Sequence, residues 1–159
     1  MHPFEHRRAV ALKSGAALPS KVPVRVYTVA EANRALDEVR ARLPVLRDAI
    51  HGYRFAAEQL VDLERMEGEG IHDRDHPAHR ELSGLQAQAE AAKLRAQKIL
   101  DELTNLGVEV KDPVLGLVDF FAERKGDLVY LCWQEGEAQV SHWHTLEGGF
   151  AARRPVSEF

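Results

Sequence analysis

Apolar residues recur at alternating steps of three and four along two long stretches of the chain. In the first stretch they are Leu36, Val39, Leu43, Leu46, Ile50, Tyr53, Ala57 and Leu60. In the second they are Leu82, Leu85, Ala89, Ala92, Ala96, Ile99, Leu103 and Leu106. This spacing places each set on one stripe of an α-helix. Because the stretches are equally long and a loop separates them, the pattern predicts an antiparallel helical hairpin over residues 29–106.

Local signals define the ends of these helices. Thr28, followed three residues later by Glu31, fits a capping box at the start of the first helix. Pro44 removes one amide donor inside this helix. Since the apolar stripe keeps its phase across the proline, we expect a kinked but continuous helix that ends near residues 68–70. Gly107 is the predicted stop of the second helix.

From Gly107 onward the apolar positions alternate, which is typical of β-strands. The predicted strands cover residues 108–110, 117–122, 128–133 and 139–143. Short segments that contain glycine separate the last three strands and supply turns. The pattern therefore predicts a small antiparallel β-meander.

The predicted strand register decides which side chains share a face of the sheet. If both hairpin connections hold an even number of residues, Asp119 lies opposite Cys132. The same assumption places Trp143 on the face of Asp119, and His142 on the opposite face with Leu131.

The predicted fold class is therefore α+β, a long antiparallel helical hairpin followed by a small antiparallel β-meander. We assign residues 24–159 to a single domain. Its sheet segment covers residues 107–145 and its C-terminal tail covers residues 146–159. Residues 1–23 are predicted to form a flexible basic N-terminal extension, because termini of such composition are poorly ordered.

Composition excludes several functional classes. The chain of 159 residues carries 21 Lys plus Arg against 25 Asp plus Glu, a balance that argues against a generic nucleic-acid binder. A single cysteine cannot form an internal disulfide or a multi-cysteine zinc site. Since no apolar run approaches the roughly 18 residues of a membrane span, we expect a cytoplasmic protein without a membrane partner.

The charge is unevenly distributed along the chain. Residues 1–27 hold five bases and one acid, whereas residues 107–159 hold five bases and nine acids. The basic tail leaves nucleic-acid contact open as a weaker alternative. The acidic body is better suited to a cation or a basic partner.

Several motifs occur in an order that resembles a bacterial family of unknown function, DUF2203. They are Tyr27-Thr28-Val29-Ala30-Glu31-Ala32-Asn33, Leu106-Gly107-Val108-Glu109-Val110-Lys111-Asp112, Gly116-Leu117-Val118-Asp119-Phe120, Leu131-Cys132-Trp133, Gly136-Glu137, Trp143-His144, Gly149-Phe150 and Arg153-Arg154-Pro155. The resemblance covers about residues 25–156, and it implies no reaction because the family has no established activity. The family usually has proline after the first phenylalanine of the strand motif, where this chain has Phe121.

Potential metal ligands concentrate in the C-terminal block. They are Asp112, Asp119, Cys132, Glu137, His142 and His144. Carboxylate and imidazole together suit a divalent metal, zinc or iron. The metal hypothesis names His144, Asp119 and Glu137, with His142 as a weaker ligand. The alternative is that Asp119 and Glu137 bind backbone amides at turns while His144 caps the sheet.

A second group of potential ligands lies in the loop between the helices. His72, His76 and His79 alternate there with aspartates. Because charged loops that cap a helix have the same composition, this is the weaker metal candidate. Cys132 is a further candidate, as a nucleophile or as a packed residue of a strand.

The terminal block offers a third kind of site. Glycines beside Phe150 and two arginines, Arg153 and Arg154, could hold an anion or the acidic groups of a partner. The alternative is that Phe150 packs into the core while the arginines pair with the acidic body. Trp143 likewise fits either a core position or an exposed binding face.

Two functional hypotheses follow. The leading one is a non-enzymatic binding or scaffold module that forms a homodimer through its helices and has an unidentified protein partner. Its candidate surface consists of Asp112, Asp119, Cys132, Glu137, Trp143, His144, Phe150 and Arg154. The competing hypothesis is a small metal-dependent, hydrolytic enzyme that uses His144, Asp119 and Glu137. Convergence of these three groups in a cleft favours the enzyme, and their dispersal favours the module.

Overall fold

The computed structural model describes residues 25–159, which form two helices followed by a five-stranded antiparallel sheet. Helix α1 is Val29–Glu67 and helix α2 is His79–Asn105, with the 3-10 helix Glu69–His72 between them. The strands are β1 (Val108–Asp112), β2 (Leu117–Arg124), β3 (Asp127–Gln134), β4 (His142–Thr145) and β5 (Arg154–Pro155). Two more 3-10 turns, Phe150–Ala152 and Val156–Glu158, flank β5.

Each strand pairs with the next in sequence order, so the sheet is a meander. The predicted α+β class, a helical hairpin followed by a β-meander, is confirmed. The two-residue strand β5 was not predicted, and the predicted extension over residues 1–23 lies outside the described residues. No helix among the described residues is long and apolar enough to cross a membrane.

The capping box predicted at the start of α1 is present. The Glu31 amide donates to Thr28 Oγ1 at 3.2 Å, and the Thr28 amide donates to Glu31 Oε2 at 2.9 Å. The helix then continues through Pro44 without interruption, as expected. Beyond the end of α2, Gly107 has a φ of 81°, a conformation that favours glycine at this position.

Residues 41–102 form one compact unit, which we call the arm. Arg42 Nε lies 3.0 Å from Glu102 Oε2 near one end of the arm. Leu63, Ile71 and Leu82 form a buried cluster near the other end. The start of the arm's α1 segment therefore meets the end of its α2 segment, and the end of α1 meets the start of α2. This arrangement establishes that the two helices are antiparallel.

Residues 25–40 and 103–159 form a second compact unit, which we call the head. The Val140 amide donates to Asn33 Oδ1 at 2.7 Å, and the Tyr27 ring meets the Phe120 ring edge-on. These contacts place the first turns of α1 against one face of the sheet, where Phe120 and Leu131 are fully buried.

The register of β2 with β3 agrees with the sequence expectation, and that of β3 with β4 does not. Asp119 pairs with Cys132 across β2 and β3, as predicted. However, Cys132 pairs with His142 and Leu131 pairs with Trp143. The assumed even connection between β3 and β4 is wrong because residues 135–141, seven residues, separate the two strands. His142 therefore shares the face of Asp119, and Trp143 shares the opposite face with Leu131.

The capping box generates a first prediction. We expect Thr28→Ala to lower the free energy of unfolding by about 1 kcal/mol, because it leaves the Glu31 amide without its side-chain acceptor. Thr104→Ala is the matched control, since Thr104 is exposed in the last turn of α2. Urea titration followed by circular dichroism measures both variants. Equal stability of the two variants would contradict the assigned role of Thr28.

Candidate metal centre

The face of the sheet that points away from α1 carries two rows of side chains across β2, β3 and β4. One row is Asp119, Cys132 and His142, and the next is Phe121, Tyr130 and His144. Asp119 on β2 and His144 on β4 therefore lie on either side of Cys132, and all three side chains share one face of the sheet. The register thus brings a carboxylate, a thiol and an imidazole together.

Three of these side chains converge as candidate ligands of one ion. Ligand atoms of Asp119, Cys132 and His144 all lie within 4.8 Å of one another. Within the part of the chain that the structure describes, residues 25–159, this is the one such group of three or more His, Cys, Asp or Glu residues. All three are buried, with 2%, 0% and 3% of their surfaces exposed, respectively.

The contact between His144 and Asp119 joins two groups that cannot satisfy each other as a neutral imidazole and an ionised carboxylate. His144 Nδ1 lies 2.8 Å from the Thr145 carbonyl oxygen, which only accepts, so Nδ1 carries the ring hydrogen. In a neutral ring Nε2 is then an acceptor. This Nε2 faces Asp119 Oδ2 at 3.3 Å. Two acceptors at this distance need a proton or a cation between them.

The second oxygen of Asp119 is also unsatisfied. Oδ1 is buried and has no hydrogen-bond partner among the described residues. Leaving a buried acceptor unpaired costs about 1–3 kcal/mol. Oδ1 of the carboxylate therefore has unused capacity to bind a ligand.

Burial dominates the electrostatics of this site. Desolvation raises the pKa of Asp119 above its usual range, although the Cys132 thiol, His144 and Lys111 partly offset it. Desolvation, followed by the neighbouring Asp119 charge, raises the pKa of the Cys132 thiol. Both groups are therefore biased toward their protonated forms when no cation is present. A bound divalent ion would reverse this bias, because a metal favours the ionised ligands.

A chain of polar side chains borders the cluster on the β1 side. Lys111 Nζ lies 3.9 Å from Asp119 Oδ2, also bonds the Glu109 carboxylate, and stacks 4.4 Å from the centre of the Tyr130 ring. The Tyr130 hydroxyl donates to Glu109 Oε2 at 2.9 Å. Among the described residues, two basic side chains lie within 4 Å of the Asp119 carboxylate. They are Lys111 and His144.

Glu137, a predicted metal ligand, is engaged elsewhere. Arg153 Nη2 donates to both of its oxygens at 2.7 and 2.8 Å, and the Gln134 amide donates to Oε2 at 2.8 Å. His142 Nδ1 lies 3.8 Å from Glu137 Oε1 and 2.9 Å from Ser141 Oγ. The structure therefore brings together Asp119 and His144 of the predicted ligand set, with Cys132 in the third position.

The other residues of the candidate surface have separate environments. Asp112 Oδ1 accepts the amides of Val114 and Leu115, which is a turn-forming role. Phe150 is 45% exposed and contacts the Arg153 guanidinium. Arg154 is exposed, whereas Trp143 is buried on the face of Leu131.

The histidines between the helices are used locally. His79 Nδ1 lies 3.0 Å from the Ile71 carbonyl oxygen, and His76 Nδ1 accepts the Ala78 amide at 3.2 Å. His72 lies 3.7 Å from a carboxylate oxygen of Glu64. These contacts give each of the three imidazoles a partner within the loop or the adjoining helices.

The sequence placed Cys132 among the potential ligands of the C-terminal block, but the metal hypothesis named His144, Asp119 and Glu137 instead of it. The available signal was its predicted position opposite Asp119. The missing information was the odd length of the next connection, which moves His144 to the same face. Lys111 lies in one of the motifs that resemble the family, but no pattern in the sequence placed it or Tyr130 beside Asp119.

A family model described as "Uncharacterized conserved protein (DUF2203)" matches residues 25–156. No curated protein and no solved structure matches the chain. The match includes every member of the buried cluster and all five strands of the sheet.

The buried carboxylate generates a prediction for the metal-free protein. An acid whose pKa is raised on folding binds more protons in the folded state than in the unfolded state over the intervening pH range. Stability is then greatest at acidic pH and is lost as pH rises through the folded pKa. We expect Asp119→Asn to raise the free energy of unfolding near neutral pH by about 1–3 kcal/mol, because an amide can donate to His144 Nε2 and needs no ionisation.

Chemical denaturation in the presence of a chelator, repeated from mildly acidic to neutral pH, measures this effect. Asp48→Asn removes the same charge from an exposed position of α1 and serves as the control. A variant Asp119→Asn that is less stable than the parent near neutral pH would show instead that an ionised Asp119 stabilises the fold.

Proposed function

The chain belongs to the DUF2203 family of uncharacterized conserved proteins, and from that premise we propose that its sheet binds one divalent metal ion through Asp119, Cys132 and His144. The preferred ion is zinc. In this proposal the head is a metal-binding module, and the protein acts with the metal bound. The observation that carries the proposal is the contact of His144 Nε2 with Asp119 Oδ2 at 3.3 Å.

Geometry supports a tetrahedral ion at this contact. Zinc binds imidazole nitrogen and carboxylate oxygen at about 2.0–2.2 Å. Two such ligand atoms on a tetrahedral ion lie roughly 3.3 Å apart. The hydrogen bond from His144 Nδ1 to the Thr145 carbonyl is the second contact that metal-ligating histidines usually make, and it presents Nε2 as the ligand.

Charge supports the same ion. An ionised Asp119 and a thiolate at Cys132 together carry two negative charges, which balance a divalent cation and leave a neutral buried centre. A neutral centre avoids the large cost of burying net charge. The mixture of soft sulfur, imidazole and carboxylate is typical of zinc ligands and less typical of magnesium or calcium, which prefer oxygen alone.

Burial of the ligands favours a binding module over the hydrolytic enzyme. Three protein ligands leave the fourth position of a tetrahedral zinc ion to water, and in catalytic sites a substrate can reach that position. The three side chains here are almost completely closed to solvent. Glu137, one of the three groups that the enzymatic alternative uses, is held by Arg153 and the Gln134 amide.

Titration with cobalt, a spectroscopic substitute for zinc, tests the site. We expect one equivalent to bind with thiolate-to-cobalt charge-transfer absorption and with the d–d bands of a tetrahedral ion. At a free zinc concentration one hundred times the Kd, zinc should raise the free energy of unfolding by about 2.7 kcal/mol. Cys132→Ser should lose the charge-transfer band, and His144→Gln should lose metal-dependent stabilisation.

His142→Gln is the matched control, because His142 is beside Cys132 on the same face but outside the converging group. It should retain stoichiometric binding. Failure of the folded parent protein to bind either metal, or equal loss in the His142 variant, would reject the assigned ligands.

We also propose that the arm mediates self-association with a second copy of the chain. Large apolar side chains are exposed along it: Tyr53, Phe55, Val61 and Met66 on α1, and Leu94 on α2, each 43–71% exposed. Two helices bury only the stripe between them, so a helical hairpin with apolar residues on its outer surface gains stability from further helices. A symmetric pair of arms provides these helices.

Light scattering coupled to size-exclusion chromatography tests this second proposal. We expect the parent protein to be a dimer, and a double variant, Phe55→Glu with Met66→Glu, to be a folded monomer. A second double variant, Gln86→Glu with Gln88→Glu, introduces the same two charges at exposed positions of α2 and should leave the dimer intact. A monomeric parent protein at every accessible concentration would overturn the proposal.

A further inference from the structure

A cationic and aromatic cluster lies on the other face of the sheet, away from the candidate metal centre. The Arg124 guanidinium carbon is 4.4 Å from the centre of the Trp143 ring, and that of Arg154 is 5.5 Å from it. Arg154 pairs directly with Trp143 across β4 and β5. The two guanidinium groups are therefore held against one indole ring.

Hydrogen-bond donors in this cluster lack acceptors. Trp143 Nε1 and Arg124 Nε are both buried, and neither has a hydrogen-bond partner among the described residues. Only 3% of the Trp143 surface is exposed. Each unpaired buried donor costs about 1–3 kcal/mol. Two adjacent unpaired donors in one stacked pair indicate that an acceptor group belongs there.

The charge of the cluster is also uncompensated. Neither Arg124 nor Arg154 forms an ion pair with an acidic side chain within residues 25–159. This is unexpected because nine acids and only five bases lie in residues 107–159. Arg153, by contrast, is paired with Glu137. The two unpaired guanidiniums therefore offer two positive charges to an external group.

We propose that Arg124, Trp143 and Arg154 form a binding site for a phosphate monoester. Such a group carries a charge of about −1.5 to −2 near neutral pH, which matches two guanidiniums better than a single carboxylate does. Its three terminal oxygens accept hydrogen bonds only, and the cluster supplies N–H donors only. The arginine–indole stacking fixes the donors before the ligand arrives, which reduces the entropic cost of binding.

The C-terminal turn Val156–Glu158 controls access to this site. Arg124 Nη2 donates to the Glu158 carbonyl oxygen at 2.7 Å, and the Phe159 ring meets the Trp143 ring edge-on at 6.1 Å. Arg124 Nε and Trp143 Nε1 are both closed to solvent. The phosphate oxygens therefore reach them only when this turn moves. The turn is short and attached by few bonds, the Val156 amide to the Ser141 carbonyl among them.

The two tryptophans provide a direct test with an internal control. Trp133 Nε1 already donates to the Glu137 carbonyl oxygen at 2.9 Å, whereas Trp143 Nε1 has no acceptor. In nitrogen–proton correlation spectra of the full chain, inorganic phosphate and O-phosphoserine should each shift the Trp143 indole signal. The Trp133 signal should stay in place. Acetate, a monoanion, should bind at least tenfold more weakly.

Variants separate this site from general charge effects. Arg124→Gln and Arg154→Gln should each weaken phosphate binding by about tenfold or more, because each removes a charge-assisted contact. Arg34→Gln removes the same charge from an exposed position of α1 and should leave binding unchanged. Phe159→Ala should tighten binding, since it loosens the turn over Trp143.

The outcomes are distinguishable. A Trp143 signal that phosphate does not move, in protein whose spectrum is otherwise that of the folded chain, overturns the proposal. Equal shifts with acetate and phosphate overturn the assignment to a phosphate group. Equal weakening in the Arg34 variant overturns the specific role of the arginine pair. Binding by inorganic phosphate and not by O-phosphoserine would assign the site to the free ion, and the reverse to a phosphorylated ligand.

Discussion

The register of three neighbouring strands is the constraint on which the chemistry of the head depends. The two-residue turn between β2 and β3 consists of Lys125 and Gly126, and both have positive φ angles, of 54° and 89°. Turns of this kind match the twist of a β-hairpin and fix its register. The turn therefore sets Asp119 opposite Cys132. The longer connection of residues 135–141 then brings His144 to the same face. A shift of one residue in either connection would move one member of the cluster to the other side of the sheet.

The head buries polar groups that apolar side chains would replace if the sheet had only a structural role. A carboxylate with one unpaired oxygen, beside an imidazole nitrogen that is also an acceptor, costs stability in the absence of a cation. An apolar side chain or an amide at position 119 would remove this cost. Natural sites that bind ligands commonly retain such destabilising groups, because binding repays the cost. The same reasoning applies on the other face, where buried donors of Arg124 and Trp143 lack acceptors.

The two units of the chain differ in the interactions that define them. In the head, long-range hydrogen bonds and ring contacts join α1 to the sheet, and polar side chains are concentrated on strands. In the arm, the helices are held by an apolar stripe with a buried cluster of Leu63, Ile71 and Leu82 near the connecting loop. The histidines of that loop contact a backbone amide, a backbone carbonyl and the Glu64 carboxylate. The functional hypotheses accordingly divide between the units, with ligand binding assigned to the head and self-association to the arm.

The sequence by itself determined the elements of this protein. The three-and-four spacing of apolar residues, the Thr28–Glu31 capping box and Gly107 are local signals, because each acts within one or two helical turns. Alternation along residues 117–133 with a short turn was likewise enough to pair Asp119 with Cys132. Only the tertiary structure decided the face of His142, Trp143 and His144, because seven residues without regular structure separate them from β3. It also decided the partners of Glu137 and Arg124, since these depend on where the C-terminal segment returns to the sheet, and no local pattern encodes that return.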